Sequence, residues 1–258
     1  MEMNYVDYQK HVENVLKEES IGEFANQLKI FGKFQESNDG SWEPVPYSGY
    51  TLMTPTSQDD TENAGFYRLF NDIREKLFWK IIVPGIVWAP TIALHLTIGR
   101  LISGTDFASN IMNSREDEFL LALRQLFSQI STSNINSLKY QVRGLSIFPQ
   151  GVIAAIVSPV TEDDYQRLQA FRDDLYTDKV LKSIGVERKR SFHGHITLFY
   201  IEEKLSEKER RMLANAVTDI NKSFFSTPLP FNLSRVEVRK FDNFSDFYRQ
   251  DHWPVYML

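Results

Sequence analysis

Residues 191–200 read SFHGHITLFY, and residues 92–101 read IALHLTIGRL. Each stretch holds a histidine, one apolar residue and a threonine: His95-Leu96-Thr97 and His195-Ile196-Thr197. The chain of 258 residues has five histidines, so two of them stand in one short pattern. Both stretches are β-branched and apolar, and the first is bounded by Pro90 and Gly104, which predicts a strand in each case. Alternate residues of a strand share a face. His95 and Thr97 are therefore expected together on one side, as are His195 and Thr197, with Leu96 and Ile196 turned into whatever packs behind.

The surrounding elements repeat in the same order. Residues 50–55 predict a strand ending in proline. Phe66, Leu69, Phe70, Ile73 and Leu77 keep helical spacing. After the first histidine strand come a helix over 115–130, opened by acidic residues that suit its dipole, and a strand over 138–148. A second set follows: a strand over 151–159, a helix over 161–176 capped by Thr161, the histidine strand over 194–203, a helix over 206–225 capped by Ser206, and a strand over 231–241. Each opening strand begins near a glycine (Gly49, Gly151) and ends at a proline (Pro55, Pro159), and each first helix carries Arg-Leu followed by a second arginine, Arg74 or Arg172. This reads as a duplicated lobe, about 49–148 and 151–242, rather than a solenoid. Two lobes related by a pseudo-two-fold axis would set the histidine strands at equivalent places, facing each other across a cleft. Residues 1–48 read as an appendage of two helical segments and a turn-rich loop, and 49–258 as the bilobed domain.

Composition narrows the function. Charged residues make up 24% and hydrophobic residues 42%, with a net charge of −5, which suits a soluble globular protein and argues against broad coating of duplex DNA or RNA. With no cysteine, disulfides, thiolate catalysis and cysteine-ligated metal sites are excluded. No apolar run reaches the ~20 residues of a membrane span, and the polar start is unlike a signal peptide, so a cytoplasmic protein is expected.

Two imidazoles and two hydroxyls facing one cleft suit a phosphodiester. With an ordinary pKa near ~6.5, one ring can accept a proton while the other donates one. The threonine hydroxyls can donate to non-bridging phosphate oxygens, where transition-state charge concentrates. Neither a metal nor a cofactor is required. A single H-x-T in a strand is more often a packed histidine; the matched placement in a duplication is what favours chemistry.

With these residues in place, LHLTIG and GHITLF resemble the two signatures of the 2H phosphoesterase superfamily, which includes the ligT-type RNA 2′,3′-cyclic phosphodiesterases. The resemblance covers about 49–242. The stretch GKFQESNDGSWEPVPYSGYTLM further resembles the DUF1868-like branch of that superfamily. The resemblance implies a bilobed α+β fold, with two antiparallel sheets and flanking helices around a central cleft. It implies metal-independent cleavage of 2′,3′-cyclic phosphates or other phosphodiesters beside a ribose 2′-hydroxyl, on small nucleotides or RNA ends. It makes His95 and His195 the acid–base pair and Thr97 and Thr197 the phosphate-holding residues. The competing reading is a nucleotide-binding sensor or interaction module that uses the same cleft with little turnover.

His193 would share the face of His195 if the strand starts early, although Gly194 makes a bend equally plausible. The pair His193 and His195 also has metal-ligand spacing, but no third ligand is near in sequence. The basic run at 187–192 reads as a solvated loop or a guide for phosphates. Arg100 and Tyr200 lie at odd offsets from their histidines, so strand parity turns them away from the cleft. Trp42 and Tyr47 either pin the arm or stack a base. His11 and His252 read as surface residues, and the aromatic C-terminus is expected to pack on the body or a partner chain.

Overall fold

The computed structural model describes residues 2–81, 83–112, 114–130 and 137–258. In chain order its elements are α1 Tyr5–Val15, α2 Glu18–Asn26, β1 Phe34–Glu36, β2 Trp42–Pro44, β3 Gly49–Met53, α3 Ala64–Lys80, β4 Ile86–Trp88, β5 Thr97–Ser103, α4 Thr105–Asn110 and α5 Glu116–Gln129. They continue with β6 Leu138–Phe148, β7 Val152–Pro159, α6 Glu162–Thr177, α7 Lys179–Ile184, β8 His195–Ile201, α8 Glu207–Phe224, β9 Leu229–Leu233, β10 Arg235–Asn243, β11 Asp246–Tyr248 and β12 Val255–Met257. The expected helix caps are present. Thr161 and Ser206 each accept from the backbone three residues on and are answered by Asp164 and Glu209, giving reciprocal capping boxes on α6 and α8.

The architecture is mixed α+β. Two five-stranded antiparallel sheets carry the body, one ordered β11-β10-β3-β5 with β12 paired to β10, the other β4-β8-β7-β6-β9. The two strand orders correspond: β5-β3-β10 in one sheet matches β8-β7-β6 in the other. The closing strands are exchanged. β6, the last strand of the first repeat, turns through Gly151 into β7 and pairs with it along its length, while β10, from the second repeat, pairs with β3. The segments 49–148 and 151–242 therefore do not each build one sheet. The short β6–β7 connection forces this, because a tight turn between consecutive strands makes them antiparallel neighbours.

The strand expected over 231–241 is two strands. β9 ends at Leu233 and pairs with β6; β10 begins at Arg235 and belongs to the other sheet. A continuous run of strand-forming residues carries no mark of the point at which a chain changes sheets.

The N-terminal segment is built into the core. Its second helix starts at Glu18, and residues 34–44 form a small hairpin, β1 with β2. Tyr8, Val12, Ile21 and Leu28 are buried. The Tyr8 hydroxyl donates to the Val157 carbonyl at 3.1 Å, and the Ser146 hydroxyl donates to the Val15 carbonyl at 2.7 Å, laying α1 on one face of the β6–β7 pair. Glu202, at the end of β8, is buried and accepts from three successive amides of this segment, Gly32 at 2.7 Å, Lys33 at 3.1 Å and Phe34 at 3.1 Å. A buried carboxylate so satisfied clamps the loop to the body. At the other end of the chain, β12 joins β10, and Trp253, Tyr256 and Leu258 are buried, so the aromatic C-terminus packs on the body. Among the described residues no helix is long and apolar enough to cross a membrane.

Candidate active site

The site lies where the two sheets touch. Leu96 and Ile196 form an isolated antiparallel bridge that joins the two motif segments. Both side chains are buried. In an antiparallel pair the residues flanking a bridge fall opposite one another. His95 is thus set against Thr197, and Thr97 against His195. All four side chains are partly exposed on the side away from the Leu96–Ile196 packing. His95 itself precedes β5 and follows a short 3₁₀ turn at Thr91–Ala93; the bridge, together with the Leu96 carbonyl accepting from Thr54 at 3.0 Å, keeps it in the pleat.

The two rings are held alike. Nδ1 of His95 bonds the Ala93 carbonyl at 2.7 Å, and Nδ1 of His195 bonds the His193 carbonyl at 2.7 Å. A carbonyl only accepts, so each Nδ1 carries the hydrogen and each Nε2 offers a lone pair. Both pKa values are pushed down to about 4. For His95 the chief cause is burial, with repulsion from His195 and Arg239 added; for His195 it is burial, with repulsion from Arg190 and Arg100 added. At neutral pH both rings are therefore uncharged in the unliganded protein. An anion bound between them would favour the protonated form and raise these values.

Gly194 explains how β8 can begin so sharply. A Cβ there would lie 2.4 Å from the Val157 carbonyl oxygen, and the Gly194 carbonyl accepts from Val157 at 2.9 Å. Only a residue without a side chain permits that approach.

Strand parity misplaces Arg100 and Tyr200. The register of β5 on β3 runs Thr97 to Met53, Gly99 to Leu52 and Arg100 to Thr51, so a bulge at Ile98 returns Arg100 to the face of Thr97. The same irregularity occurs in β8, where Thr197 faces Ala154, Phe199 faces Ile153 and Tyr200 faces Val152. Arg172 of α6 donates to the Ile98 carbonyl that the first bulge exposes. In β8 the corresponding Leu198 carbonyl accepts from the Ala89 amide at 2.9 Å. No feature of a single sequence announces a bulge at these positions. The matched pair of offsets, Arg100 and Tyr200 each three past the threonine, was the available hint.

Outside this matched frame the two halves differ. Phe247 packs on His95, with ring centroids 4.5 Å apart, and Phe148 on His195 at 5.2 Å. Tyr200 is buried beneath Phe31 of the N-terminal segment, stacked at 4.6 Å, whereas Arg100 is exposed. Tyr47 stacks on Phe244 at 5.4 Å and carries Lys33 at 3.9 Å over its ring, fastening the arm to the body. His11 departs from its expected surface placement. Its Nε2 lies 2.7 Å from Nδ1 of His193, because α1 runs beside the loop that leads into β8. His252 is exposed. Among the described residues no group of three or more His, Cys, Asp or Glu side chains is arranged to hold a metal ion.

No known protein-family profile matches this chain, and no curated protein matches it. Its fold is similar to that of a conserved protein of unknown function from Agrobacterium tumefaciens, with a TM-score of 0.56 and 15% identity over 85% of this chain and 89% of that one. Weaker likenesses are to TT0787 of Thermus thermophilus, with a TM-score of 0.45 and 14% identity over 74% and 86%, and to Escherichia coli LigT complexed with 3′-AMP, with a TM-score of 0.41 and 12% identity over 82% and 95%. The first of these likenesses shows a shared fold alone.

Proposed function

We propose that this protein is a metal-independent phosphodiesterase of the two-histidine kind, acting on 2′,3′-cyclic phosphates or other phosphodiesters beside a ribose 2′-hydroxyl. The supporting observation is the crossed pairing at the Leu96–Ile196 bridge, which sets each histidine against the other repeat's threonine and leaves both Nε2 atoms without a protein partner among the described residues. In the proposed reaction a cyclic phosphate monoanion binds between the rings. Its charge favours the imidazolium form of one histidine. Nε2 of the other takes a proton from water as the water oxygen bonds phosphorus. The P–O bond to one ribose oxygen breaks, and that oxygen takes the Nε2 proton of the imidazolium. The product is a ring-opened monoester, and the two histidines have exchanged protonation states. Thr97 and Thr197, whose hydroxyls have no protein partner among the described residues, donate to the non-bridging oxygens. Each proton transfer of this type contributes typically ~10²–10⁴-fold.

The test is turnover of 2′,3′-cyclic mononucleotides, 2′–5′-linked dinucleotides and 3′–5′ cyclic nucleotides in EDTA, with calorimetric binding measured alongside. EDTA-resistant cleavage, absent in His195→Ala, is expected. Tight nucleotide binding without cleavage of any of them would transfer the assignment to a sensor module, and neither binding nor cleavage would remove the nucleotide reading.

A further inference from the structure

The basic run before β8 divides in the fold. Arg188 pairs with Asp173 at 2.5 Å and lies 3.7 Å from Glu2, and Lys189 pairs with Asp106 at 2.7 Å, so both are committed to carboxylates. Arg190 has no hydrogen-bond or ion-pair partner among the described residues. Neither has Arg100, which the Ile98 bulge brings to the face of Thr97, opposite His195. Both residues keep exposed surface, with the Arg190 side chain partly packed against the protein. Both act on His195, and Arg190 is itself disfavoured as a cation, first by burial and then by Arg100. The Tyr176 hydroxyl donates to the Arg100 carbonyl at 3.0 Å and fixes the backbone beneath it. Arg100 disfavours the charge on Arg190, and repulsion of this kind is relieved when an anion binds between two guanidiniums.

The other end of the site offers no equivalent. The cation near His95 is Arg239, and it is fully engaged. It bonds Glu237 at 2.7 Å, Asp59 at 2.5 Å and the Phe247 carbonyl at 2.9 Å. The position matching Arg100 is Tyr200, capped by Phe31. Among the described residues, the arginines near the site that lack a carboxylate partner stand on the His195 side.

We propose that Arg100 and Arg190 form an anion subsite on the His195 side, taking a second phosphate of the substrate and favouring nucleotides or RNA ends with a phosphate on both sides of the ribose. This rests on the phosphodiesterase reading and orients the substrate within it: the reacting phosphate lies at the histidines and the 5′-phosphate lies at the arginines. Guanidinium is suited to this task, since its planar fork meets phosphate oxygens two at a time.

The experiment is calorimetric binding of adenosine 2′-monophosphate and adenosine 2′,5′-bisphosphate at fixed ionic strength, which needs no turnover. The bisphosphate is expected to bind at least about tenfold tighter, as one or two charge-assisted contacts imply. That advantage should fall to within about twofold in Arg190→Gln and in Arg100→Gln, as removal of one fork implies, and persist in Lys189→Gln. Equal binding of the two ligands by the wild-type protein, or an advantage that survives in both arginine variants, overturns the subsite and leaves the phosphodiesterase reading standing. Failure of the wild-type protein to bind either ligand overturns both.

Discussion

The half of the molecule around His95 and the half around His195 share a frame and differ in their surroundings. In each, Nδ1 is anchored on the carbonyl two residues back at 2.7 Å, a bulge follows the threonine, and the intervening apolar residue is buried. Around that frame, one half has Phe247 and an engaged Arg239, the other Phe148 and two uncommitted arginines. What the two halves share is the placement of a histidine and a threonine; what differs is the charge and packing around them. A site for a reaction that needs an acid and a base can stay symmetric at the reacting atoms, but substrate orientation cannot be read from the symmetric part.

The sharpest structural contrast is how each bulge is held, by a side chain in β5 and by backbone in β8. Arg172 is buried, pairs with Glu2 at 2.8 Å and supplies the Ile98 carbonyl. Arg172→Met should cost about 3–5 kcal/mol, the range for removing one partner of a buried pair, measured by chemical denaturation. A loss below about 1 kcal/mol, the scale of an exposed pair, would mean that the β5 bulge does not depend on it.

The threonines test whether the phosphate is shared between halves. Thr97→Val and Thr197→Val should each lower kcat by about 10²-fold, the order found when one oxyanion donor is removed. A large loss in one variant and none in the other would place the phosphate on a single half.

Titration tests the common environment. Followed by imidazole NMR shifts, His95 and His195 should both titrate near about 4. A folded pKa below the unfolded value means the unfolded chain binds more protons between about 6.5 and 4. These histidines should therefore destabilise the fold as pH falls through that window, and melting temperatures should drop across it. Adding inorganic phosphate should raise both midpoints. A midpoint near 6.5 for either ring would show that it is solvated like a free imidazole.

The smallest effect separates the halves by their cations. Arg100→Gln should raise the His195 midpoint and leave His95 in place, whereas Arg239→Gln should raise His95 alone, because each arginine repels only the nearer ring. Equal movement of both rings in either variant would dissolve the distinction drawn between the two ends.

Much of this was legible in the chain. The order of strands and helices follows from apolar periodicity and caps, which are local signals, and the caps expected at Thr161 and Ser206 are present; the two antiparallel sheets were implied by the family resemblance. The four motif residues come together because residues flanking a bridge share a face. Long-range features were not legible. The exchange of β6 and β10 between sheets depends on which strands a turn makes neighbours, and the break at Ser234 between β9 and β10 has no local signature. Parity failed at Arg100 and Tyr200 because one extra residue in a strand inverts every later side chain. His11 looked exposed because the partner that holds it, His193, lies in a loop 182 residues away.

In the proposed reaction His95 and His195 act as one unit across the Leu96–Ile196 bridge. The most direct test is single-turnover cleavage of a 2′,3′-cyclic nucleotide by the wild-type protein, His95→Ala, His195→Ala and the double variant. If the pair is a unit, each single variant loses roughly 10²–10⁴-fold and the double variant is little worse than either. Losses that multiply in the double variant, or a single variant that cleaves at the wild-type rate, would contradict a paired acid and base.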